Sequence, residues 1–347
     1  MRIAVIGAGI VGLSATYALR RYPVSVRLYE AGEPMSGRSR GGTRIFRLAH
    51  ETPALVRYAA RARVGWSRWE RTSGRTLVGR EGTVVSGPGA PERYAAMRAV
   101  GVRCGLYTDV RAVPALPARP GTPGPFLVDP AGGVIQAAAA GDFLRSAVRR
   151  CLFPYAARRI TVGKGGATVD SERDSWRCDA VLIAAGTHTA PLARPVGLPV
   201  PEPLEHHVRF TFPAASETAF ACWIEQSEAW RPGFTTYGHL AGPGRWAVGG
   251  HLPAADTAWD LGPEQSRDRA LRAVTDYVRE FLADVVDPDP VDEVHCAPTP
   301  GLGDGVRVAR SGPVLAVWGE NLFKFAPALG ADLAAATASG GLPEDLP

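Results

Sequence analysis

Three glycines near the start of the chain have the spacing of a nucleotide-binding turn. Gly7, Gly9 and Gly12 form the pattern GxGxxG, directly after the apolar residues 3–6 and at the start of a helical pattern. The first glycine permits a tight turn, the second lets backbone approach a pyrophosphate, and the third lets helix and strand pack closely. A helix N-terminus also offers free N–H groups and a positive dipole end to phosphates. The motif therefore predicts a dinucleotide site.

Two further features extend this site. Glu30 closes the next apolar run about 20 residues later, where a carboxylate can accept hydrogen bonds from a ribose. Residues 178–189, CDAVLIAAGTHT, predict a buried strand that ends in small residues, where Ala185 and Gly186 would let backbone come close to the dinucleotide. The spacing fits FAD and NAD equally well, so the choice between them depends on other segments.

Other chemistry-bearing residues are few. Arg40, Arg44 and Arg47 form the one local basic cluster, in a glycine-rich stretch where small anions could be met. No residues suggest a nucleophile triad. The five cysteines lie far apart without a CxxC pair, and they therefore indicate neither a zinc site nor a disulfide framework.

The elements that position these residues begin with a βαβ unit. Residues 3–6 predict a strand, residues 11–21 a helix and residues 24–29 a second strand. Residues 53–72 predict a long amphipathic helix, and its buried side would carry Leu55, Tyr58, Ala62, Trp66 and Trp69.

The rest of the chain alternates between strands and helices. Four short runs between residues 208 and 248 (VRFTF, AFACWI, FTTYG and WAVGG) are typical of an antiparallel sheet. Proline and glycine mark residues 113–125 and 191–203 as connections. Further predicted elements are a helix over 141–150, strands near 159–162 and 166–169, a helix over 263–282, a strand in PVLAVWG and a final helix in ALGADLAAATA.

Bulk composition excludes several classes of protein. The 347 residues carry 39 basic and 34 acidic side chains along the whole chain, which predicts a mildly basic surface and no nucleic-acid stripe. The N-terminus lacks the basic start and cleavage site of a signal peptide. No stretch reaches the roughly 18 apolar residues of a membrane span. We therefore expect a soluble, cytoplasmic monomer without nucleic-acid or membrane partners.

A family resemblance rests on three anchors. Residues 37–47, GRSRGGTRIFR, resemble the segment after the ribose-binding strand in amine oxidases of the D-amino-acid oxidase superfamily, and TRIFR at 43–47 is the specific part. The others are His295-Cys296 before a proline- and glycine-containing turn, and FKF at 323–325 before the final helix. Order and approximate spacing are kept over essentially the whole chain. Monomeric sarcosine oxidase and N-methyltryptophan oxidase are the most similar members, with antibiotic-pathway imine-forming oxidases as relatives.

The resemblance implies a fold and an activity. The fold class would be α/β plus antiparallel β, with a Rossmann-type FAD-binding domain interleaved with a substrate domain on an antiparallel sheet. Residues 1–77, 134–202 and 299–347 would bind FAD, and residues 78–133 and 203–298 would bind substrate. The enzyme would oxidise a C–N bond of a small carboxylate-bearing secondary amine or amino acid to an imine, with oxygen or another electron acceptor.

Residue roles follow from the resemblance alone. Cys296 matches the cysteine that carries FAD through a thioether, although a free cysteine is often only a small buried hydrophobe. Arg47 and Lys324 match the pair that clamps the substrate carboxylate, for which a guanidinium and an ammonium are well suited. Arg44 would lie near the flavin ring, where a fixed positive charge favours the anionic reduced flavin.

The remaining candidates complete the implied site. His251 matches an active-site histidine and Tyr237 an aromatic residue of the substrate cavity. Arg44, His251 and Lys324 are thus the catalytic candidates. Further candidate cofactor contacts are Arg38, Ser39, Thr43, Ile160 and Phe323.

Two departures from the family pattern leave alternatives open. The family has a lysine over the flavin where this chain has Ala247. Either another cation, such as Arg44 or Arg245, supports oxygen reduction, or the enzyme passes electrons elsewhere. The loop before FKF is glycine-rich in the family but reads WGENL here, and Glu320 within it implies a differently shaped pocket. The alternatives are an FAD-dependent dehydrogenase or tailoring enzyme with poor oxygen reactivity, a non-enzymatic flavin- or nucleotide-binding protein, and an NAD enzyme of the opine dehydrogenase type.

Overall fold

The computed structural model describes residues 1–117, 122–214, 220–228 and 230–347. Its strands are β1 (Arg2–Ile6), β2 (Ser25–Tyr29), β3 (Thr43–Phe46), β4 (Thr83–Ser86), β5 (Gly105–Tyr107), β6 (Phe126–Asp129), β7 (Gly133–Gln136), β8 (Leu152–Phe153), β9 (Ala157–Gly163), β10 (Gly166–Ser171), β11 (Ser175–Cys178), β12 (Ala180–Ile183), β13 (His207–Pro213), β14 (Cys222–Glu225), β15 (Thr235–Gly242), β16 (Arg245–His251), β17 (Asp292–Cys296), β18 (Gly305–Ser311) and β19 (Val314–Glu320).

Helices flank these strands. They are α1 (Ile10–Leu19), α2 (Pro53–Ser73), α3 (Ala90–Val100), α4 (Ala137–Val148), α5 (Thr189–Ala193), α6 (Ala254–Thr257), α7 (Gly262–Tyr277) and α8 (Ala326–Ser339). Helix α7 continues into a π-helical turn over Val278–Leu282. Within the part of the chain that the structure describes, no helix combines the length and the hydropathy that crossing a membrane requires.

A six-stranded sheet holds the glycine turn. Its order is β18-β19-β12-β1-β2-β8, and β1 runs parallel to both β12 and β2. Ile6 at the end of β1 pairs with Ile183 of β12 and with Tyr29 of β2, so the carboxyl ends of three strands meet at one edge. Such an edge, with chain connections leaving on both sides of the first strand, is where open α/β sheets bind ligands.

An eight-stranded, mostly antiparallel sheet faces that edge. Its order is β17-β13-β16-β15-β14-β4-β6-β5, which confirms the antiparallel sheet predicted between residues 208 and 248. One face is apolar because alternate residues of β13 and β16 are large hydrophobes that pack with α7 in a second core. The members of this face include Phe210, Phe212, Trp246, Val248 and, from α7, Val274 and Tyr277. The opposite face carries the polar residues.

Two smaller sheets complete the fold. Strands β9, β10 and β11 form an antiparallel sheet beside β12, and β3 pairs with β7, opposing Arg44 to Ile135. All strands of the eight-stranded sheet lie within residues 78–133 and 203–298. The proposed division into domains stays a prediction.

Most predicted elements are present with shifted ends. Helix α2 buries all five residues expected on its inner side, from Leu55 to Trp69. Helix α4 begins four residues before the predicted start at 141. Residues 191–203 are not a plain connection, because α5 and a 3₁₀ turn over Arg194–Val196 occupy their first half. Proline is tolerated in a first helical turn, where its missing N–H has no partner to lose. Residues 118–121 of the connection 113–125, and Ala219 of the run AFACWI, lie outside the described residues.

Candidate active site

One cavity of about 1100 Å³ lies between the carboxyl edge of the six-stranded sheet and the polar face of the eight-stranded sheet. This volume is slightly above the roughly 300–1,000 Å³ typical of small-molecule sites, which suits an extended ligand. The lining runs from the glycine turn and Glu30 at one end to Cys296, His251 and Lys324 at the other. The three sequence segments identified as anchors therefore meet in one place.

Two positions of the glycine turn, Gly7 and Gly12, have no room for a side chain. Gly7 has a φ of 98°, and a Cβ there would lie 2.5 Å from the carbonyl oxygen of Ala184. A Cβ on Gly12 would lie 1.9 Å from the carbonyl oxygen of Gly7, so α1 packs directly on the end of β1. Gly7 and Gly9 line the cavity, whereas Gly12 does not and serves the helix–strand contact. This cradle fits a dinucleotide pyrophosphate.

Polar side chains hold the turn from both sides. Ser39 Oγ accepts a hydrogen bond from Ile10 N at 2.9 Å and so satisfies one N–H of the first turn of α1. Glu30 accepts from Ala8 N at 2.6 Å and from Gly32 N at 3.0 Å. Both residues line the cavity, so the Glu30 carboxylate stands where a ribose would reach it. Ala185 and Gly186 also line it, beside the turn.

Three candidate cofactor contacts have other tasks in the fold. Ile160 is 4% exposed inside an apolar cluster with Tyr29 and Val169, and its neighbours Ala157 and Arg158 line the cavity instead. The Ile160 side chain therefore packs inside the fold and does not line the cavity.

Thr43 and Arg38 are also engaged by protein groups. Thr43 bonds to His239 Nε2 at 3.0 Å and its carbonyl accepts from Arg209 at 2.9 Å, so it supports the wall and does not line the cavity. Arg38 lines the cavity but is ion-paired with Glu320 of the WGENL loop. Glu320 thus enters the cavity, as its position in the sequence suggested, and burial raises its pKa.

A wall of polar side chains lines the cavity around Cys296. Strand register places His207 opposite Cys296, and Tyr237 and Arg209 both opposite Gly249, so these side chains share one face of the sheet. Tyr237 and His207 are joined by a 2.9 Å hydrogen bond between Oη and Nε2. Burial, then repulsion from neighbouring His251, lowers the pKa of His207 to about 3. His207 is therefore neutral, and one of its two ring nitrogens can accept a hydrogen bond while the other donates.

His251 and Gly249 complete this wall. A Cβ on Gly249 would lie 2.3 Å from the ring of Tyr237, so glycine leaves the space that the ring fills. His251 stacks on His207 with ring centroids 5.2 Å apart and opens into the cavity. Burial, followed by the charge of Arg47, lowers its pKa, and the imidazole is available as a neutral hydrogen-bonding group.

Two buried arginines lie beside this wall without an acidic partner. Among the described residues, Arg44 donates to the carbonyls of Thr43, Arg38 and Arg40, and Arg209 donates to that of Thr43, while Arg209 Nε has no partner. Burial, then repulsion by Arg209, lowers the pKa of Arg44 to about 10. Arg44 also lies 5.6 Å from the ring centroid of Phe323, another cavity residue.

These positions revise two expectations from the sequence. Arg245 is exposed at the start of β16 and does not line the cavity, so it cannot replace the lysine that is absent at Ala247. Arg209 is the second cation here, and Ala247 shares its face of the sheet. Arg40 is exposed, so the predicted basic cluster is divided between solvent and cavity.

The remaining cations are joined by an unexpected carboxylate. Asp304 is ion-paired with Arg47, and its Oδ1 accepts from Lys324 Nζ at 3.1 Å and from Asn321 Nδ2 at 2.7 Å. His50 Nδ1 lies 3.0 Å from Oδ2. Burial alone would raise the pKa of Asp304, but the charges of Arg47 and Lys324 hold it well below its usual value.

The same burial acts on the partners of Asp304. It lowers the pKa of Lys324 to about 7, with repulsion from Arg47 in the same direction and Asp304 opposing. It lowers the pKa of His50 to about 3, with Lys324 contributing. At neutral pH, therefore, Asp304 is charged, His50 is neutral and Lys324 is present in both its protonated and unprotonated forms.

Sequence reasoning missed His50, His207, Arg209 and Asp304. A signal exists for two of them, because HVRFTF alternates polar and apolar residues and so sends His207 and Arg209 to the face opposite Phe210. His50 and Asp304 stand in irregular segments, where no periodicity shows which way a side chain points.

Comparisons with known proteins agree with this geometry. The family model described as DAO, FAD dependent oxidoreductase, matches residues 2–338. No curated protein sequence matches the chain. Many solved structures share its fold, and three of them are described here. The Tyr258Phe mutant of NikD, described as an unusual amino acid oxidase essential for nikkomycin biosynthesis, has a TM-score of 0.81 at 19% identity, covering 99% of this chain and 94% of that one.

The other two have similar scores. L-proline dehydrogenase from P. horikoshii has a TM-score of 0.79 at 18% identity, covering 98% of this chain and 94% of that one. Glycine oxidase from Geobacillus kaustophilus has a TM-score of 0.74 at 17% identity, covering 98% and 95%.

Proposed function

The chain belongs to the DAO family of FAD dependent oxidoreductases, and from this premise we propose that it oxidises a C–N bond of a small carboxylate-bearing secondary amine or amino acid to an imine. One observation carries the proposal: the glycine turn, Cys296 and the cations Arg47 and Lys324 line a single cavity. The names of the structural neighbours, which include a proline dehydrogenase and a glycine oxidase, suggest the same substrate class.

The chain's own residues would hold the cofactor along the cavity. The turn from Gly7 to the N-terminus of α1 would receive the pyrophosphate, and Glu30 would receive a ribose. FAD supplies the two-electron acceptor when bound. Cys296, Arg44, Arg209 and Phe323, which also line the cavity, would hold the isoalloxazine.

The cations of the cavity would act on both the carboxylate and the amine of the substrate. Arg47 and Lys324 would bind the carboxylate and so fix the C–N bond against the wall of Tyr237 and His251. The amine must be neutral to give up electrons, and a dry pocket lined by cations lowers the pKa of a bound ammonium group. His251, which opens into the cavity with a lowered pKa, would take up its proton.

Rapid mixing under anaerobic conditions tests this function. We expect glycine, sarcosine or L-proline to bleach the visible flavin absorbance, and methylamine, dimethylamine and pyrrolidine to be far slower because they lack the carboxylate. Failure of every amine and amino acid in such a panel to reduce the flavin would remove the proposed activity. Equal rates with and without the carboxylate would remove only the clamp.

A dehydrogenase that reacts poorly with oxygen is the second candidate, and Ala247 is the observation that favours it. Arg209 is the buried cation nearest along the sheet to that position. If it supports the reaction of the loaded enzyme with oxygen, Arg209→Met should slow that reaction by about tenfold, equivalent to ~1.4 kcal/mol. An oxygen electrode measures this, with exposed Arg245→Met as the control. Slow oxygen consumption by the unaltered protein would favour the dehydrogenase.

Covalent attachment of FAD at Cys296 is a separate part of the proposal. The thiol faces the cavity from the end of β17, opposite His207. Acid precipitation should leave yellow colour in the pellet of the unaltered protein, whereas Cys296→Ser should release it into the supernatant. Cys222→Ser, at a buried cysteine outside the cavity, should behave like the unaltered protein. Complete release from the unaltered protein would contradict a covalent bond.

The pH dependence of carboxylate binding should report on Lys324. Because its folded pKa is lowered to about 7, the ammonium form needed to attract a carboxylate is lost as pH rises above 7. We expect the Kd of a small carboxylate such as acetate, measured by flavin absorbance, to rise by up to tenfold per pH unit there. Lys324→Arg cannot lose its proton in this range and should abolish the dependence. An unchanged pH profile in that variant would exclude Lys324 as the titrating group.

A further inference from the structure

The two cations proposed to clamp the substrate carboxylate, Arg47 and Lys324, already bind a carboxylate of the protein itself, that of Asp304. One oxygen of Asp304 is ion-paired with Arg47 and lies 3.0 Å from His50 Nδ1, and the other accepts hydrogen bonds from Lys324 and Asn321. Its side chain is 10% exposed, and it lines the cavity together with Arg47 and Lys324. Both oxygens of this carboxylate are thus bound by groups of the protein itself.

Asp304 offers the same chemical group as the proposed substrate. An aspartate side chain ends in a methylene and a carboxylate, and the acid end of a small amino acid is also a carboxylate on an sp³ carbon. Two carboxylates cannot occupy one pair of cations together, because like charges at hydrogen-bonding distance repel strongly in a buried site. A substrate carboxylate must therefore displace Asp304 or bind elsewhere.

The local backbone permits displacement. Asp304 precedes β18, whose pairing with β19 begins at Gly305, and it follows the loop that leaves β17 at Cys296. Rotation of the Asp304 side chain out of the clamp breaks no hydrogen bond of the sheet ladder. Exchange of one carboxylate for another preserves the ion pairs of Arg47 and Lys324, so neither cation is left buried and unpaired.

We infer that Asp304 occupies the clamp formed by Arg47 and Lys324 in the absence of substrate, and that the substrate carboxylate binds there by displacing it. This rests on the clamp of the proposed function. Asp304 then makes the enzyme selective, because a ligand gains the clamp only if it offers a carboxylate that competes with a tethered one. Neutral isosteres and amines without an acid group leave Asp304 in position.

Titration of the FAD-loaded protein with acetate tests the inference. In Asp304→Ala the clamp cations lack their partner, so the acetate Kd from flavin absorbance should fall at least tenfold below that of the unaltered protein. Acetate should also raise the thermal unfolding midpoint of this variant more than that of the unaltered protein. Acetamide, its neutral isostere, should do neither. Asp304→Asn, which keeps the shape but not the charge, should bind acetate with an intermediate Kd.

An acetate Kd that does not fall in the Asp304 variants would overturn the inference. If Asp304 merely orients Arg47 and Lys324, both variants should bind acetate as weakly as the unaltered protein or more weakly. The control is Asp332→Ala, which removes a carboxylate paired with Arg61 and Tyr58 outside the cavity and should leave the acetate Kd unchanged. If Asp304→Ala fails to fold, the direction of the change in acetate Kd is taken from the isosteric Asp304→Asn variant. Tighter acetate binding with no amine oxidised would sink the proposed function alone, whereas amine oxidation with unchanged acetate binding would sink only this inference.

Discussion

A Gly12→Ala variant is expected to lose FAD and much of its stability, although a single methyl group is added. The new Cβ would stand 1.9 Å from the carbonyl oxygen of Gly7, which is backbone and cannot rotate away. Helix α1 must therefore move off β1, and the N–H groups that it aims at the cavity move with it. Overpacking of this kind costs about 1–3 kcal/mol in stability. We expect FAD content per chain to drop by about tenfold or more, since ~1.4 kcal/mol lost from binding suffices.

The measurement is flavin absorbance per purified chain, together with thermal unfolding after addition of excess FAD. Gly163→Ala is the matched control, because a Cβ there meets no atom within 4 Å and the backbone needs no positive φ. That control should keep full flavin content. A Gly12→Ala protein with normal flavin content and an unaltered unfolding midpoint would show that α1 can shift without cost, and the glycine turn would then lose its assigned role.

Arg47→Ala should raise the Kd for carboxylate ligands, and the apparent KM for substrate, by about 100-fold while flavin content stays normal. Removing one partner of a buried ion pair costs roughly 3–5 kcal/mol, and ~1.4 kcal/mol corresponds to a factor of ten. We take the lower part of that range because Lys324 remains to hold the carboxylate. The Kd and the apparent KM of Arg47→Lys should lie between those of the unaltered protein and those of Arg47→Ala, since an ammonium group keeps the charge but lacks the planar, two-donor geometry of the guanidinium.

The control is Arg40→Ala, which removes an exposed arginine of the same segment. It should change neither KM nor flavin content. A large loss of flavin with an unaltered KM in Arg47→Ala would reverse the assignment and make Arg47 a cofactor residue. Arg47→Ala and Asp304→Ala thus have opposite expected effects on acetate binding, although each removes one half of the same ion pair.

Local patterns in the sequence were sufficient for the framework. The βαβ unit with its glycine turn, the inner side of α2 and the alternating strands between residues 208 and 248 were all predicted, because side-chain periodicity reflects burial of the element that carries it. The glycine pattern is equally local, since the contact between Gly12 and Gly7 lies within six residues. Even where the ends of elements shifted, as for α4 at residue 137, the type of element was correct.

The residues assigned to the site from the sequence fall into two groups, those that line the cavity and those that do not. Tyr237, His251, Cys296 and Lys324 line the cavity, as the resemblance implied, because each occupies a strand or turn whose register fixes its direction. Ile160 does not line the cavity, because its side chain packs in an apolar cluster with Tyr29 and Val169.

The partners of the charged residues were decided by tertiary structure alone. Asp304 meets Arg47 across 257 residues of sequence, and Arg38 meets Glu320 across 282. The sequence around these residues indicates no partner. In an irregular segment, the sequence pattern is the same whether a charged side chain faces solvent or another charge. The sequence therefore determined which elements form and that they hold a dinucleotide. Which cations of the cavity are free to bind an anion was decided only when distant loops packed together, since ion pairing depends on distance in space.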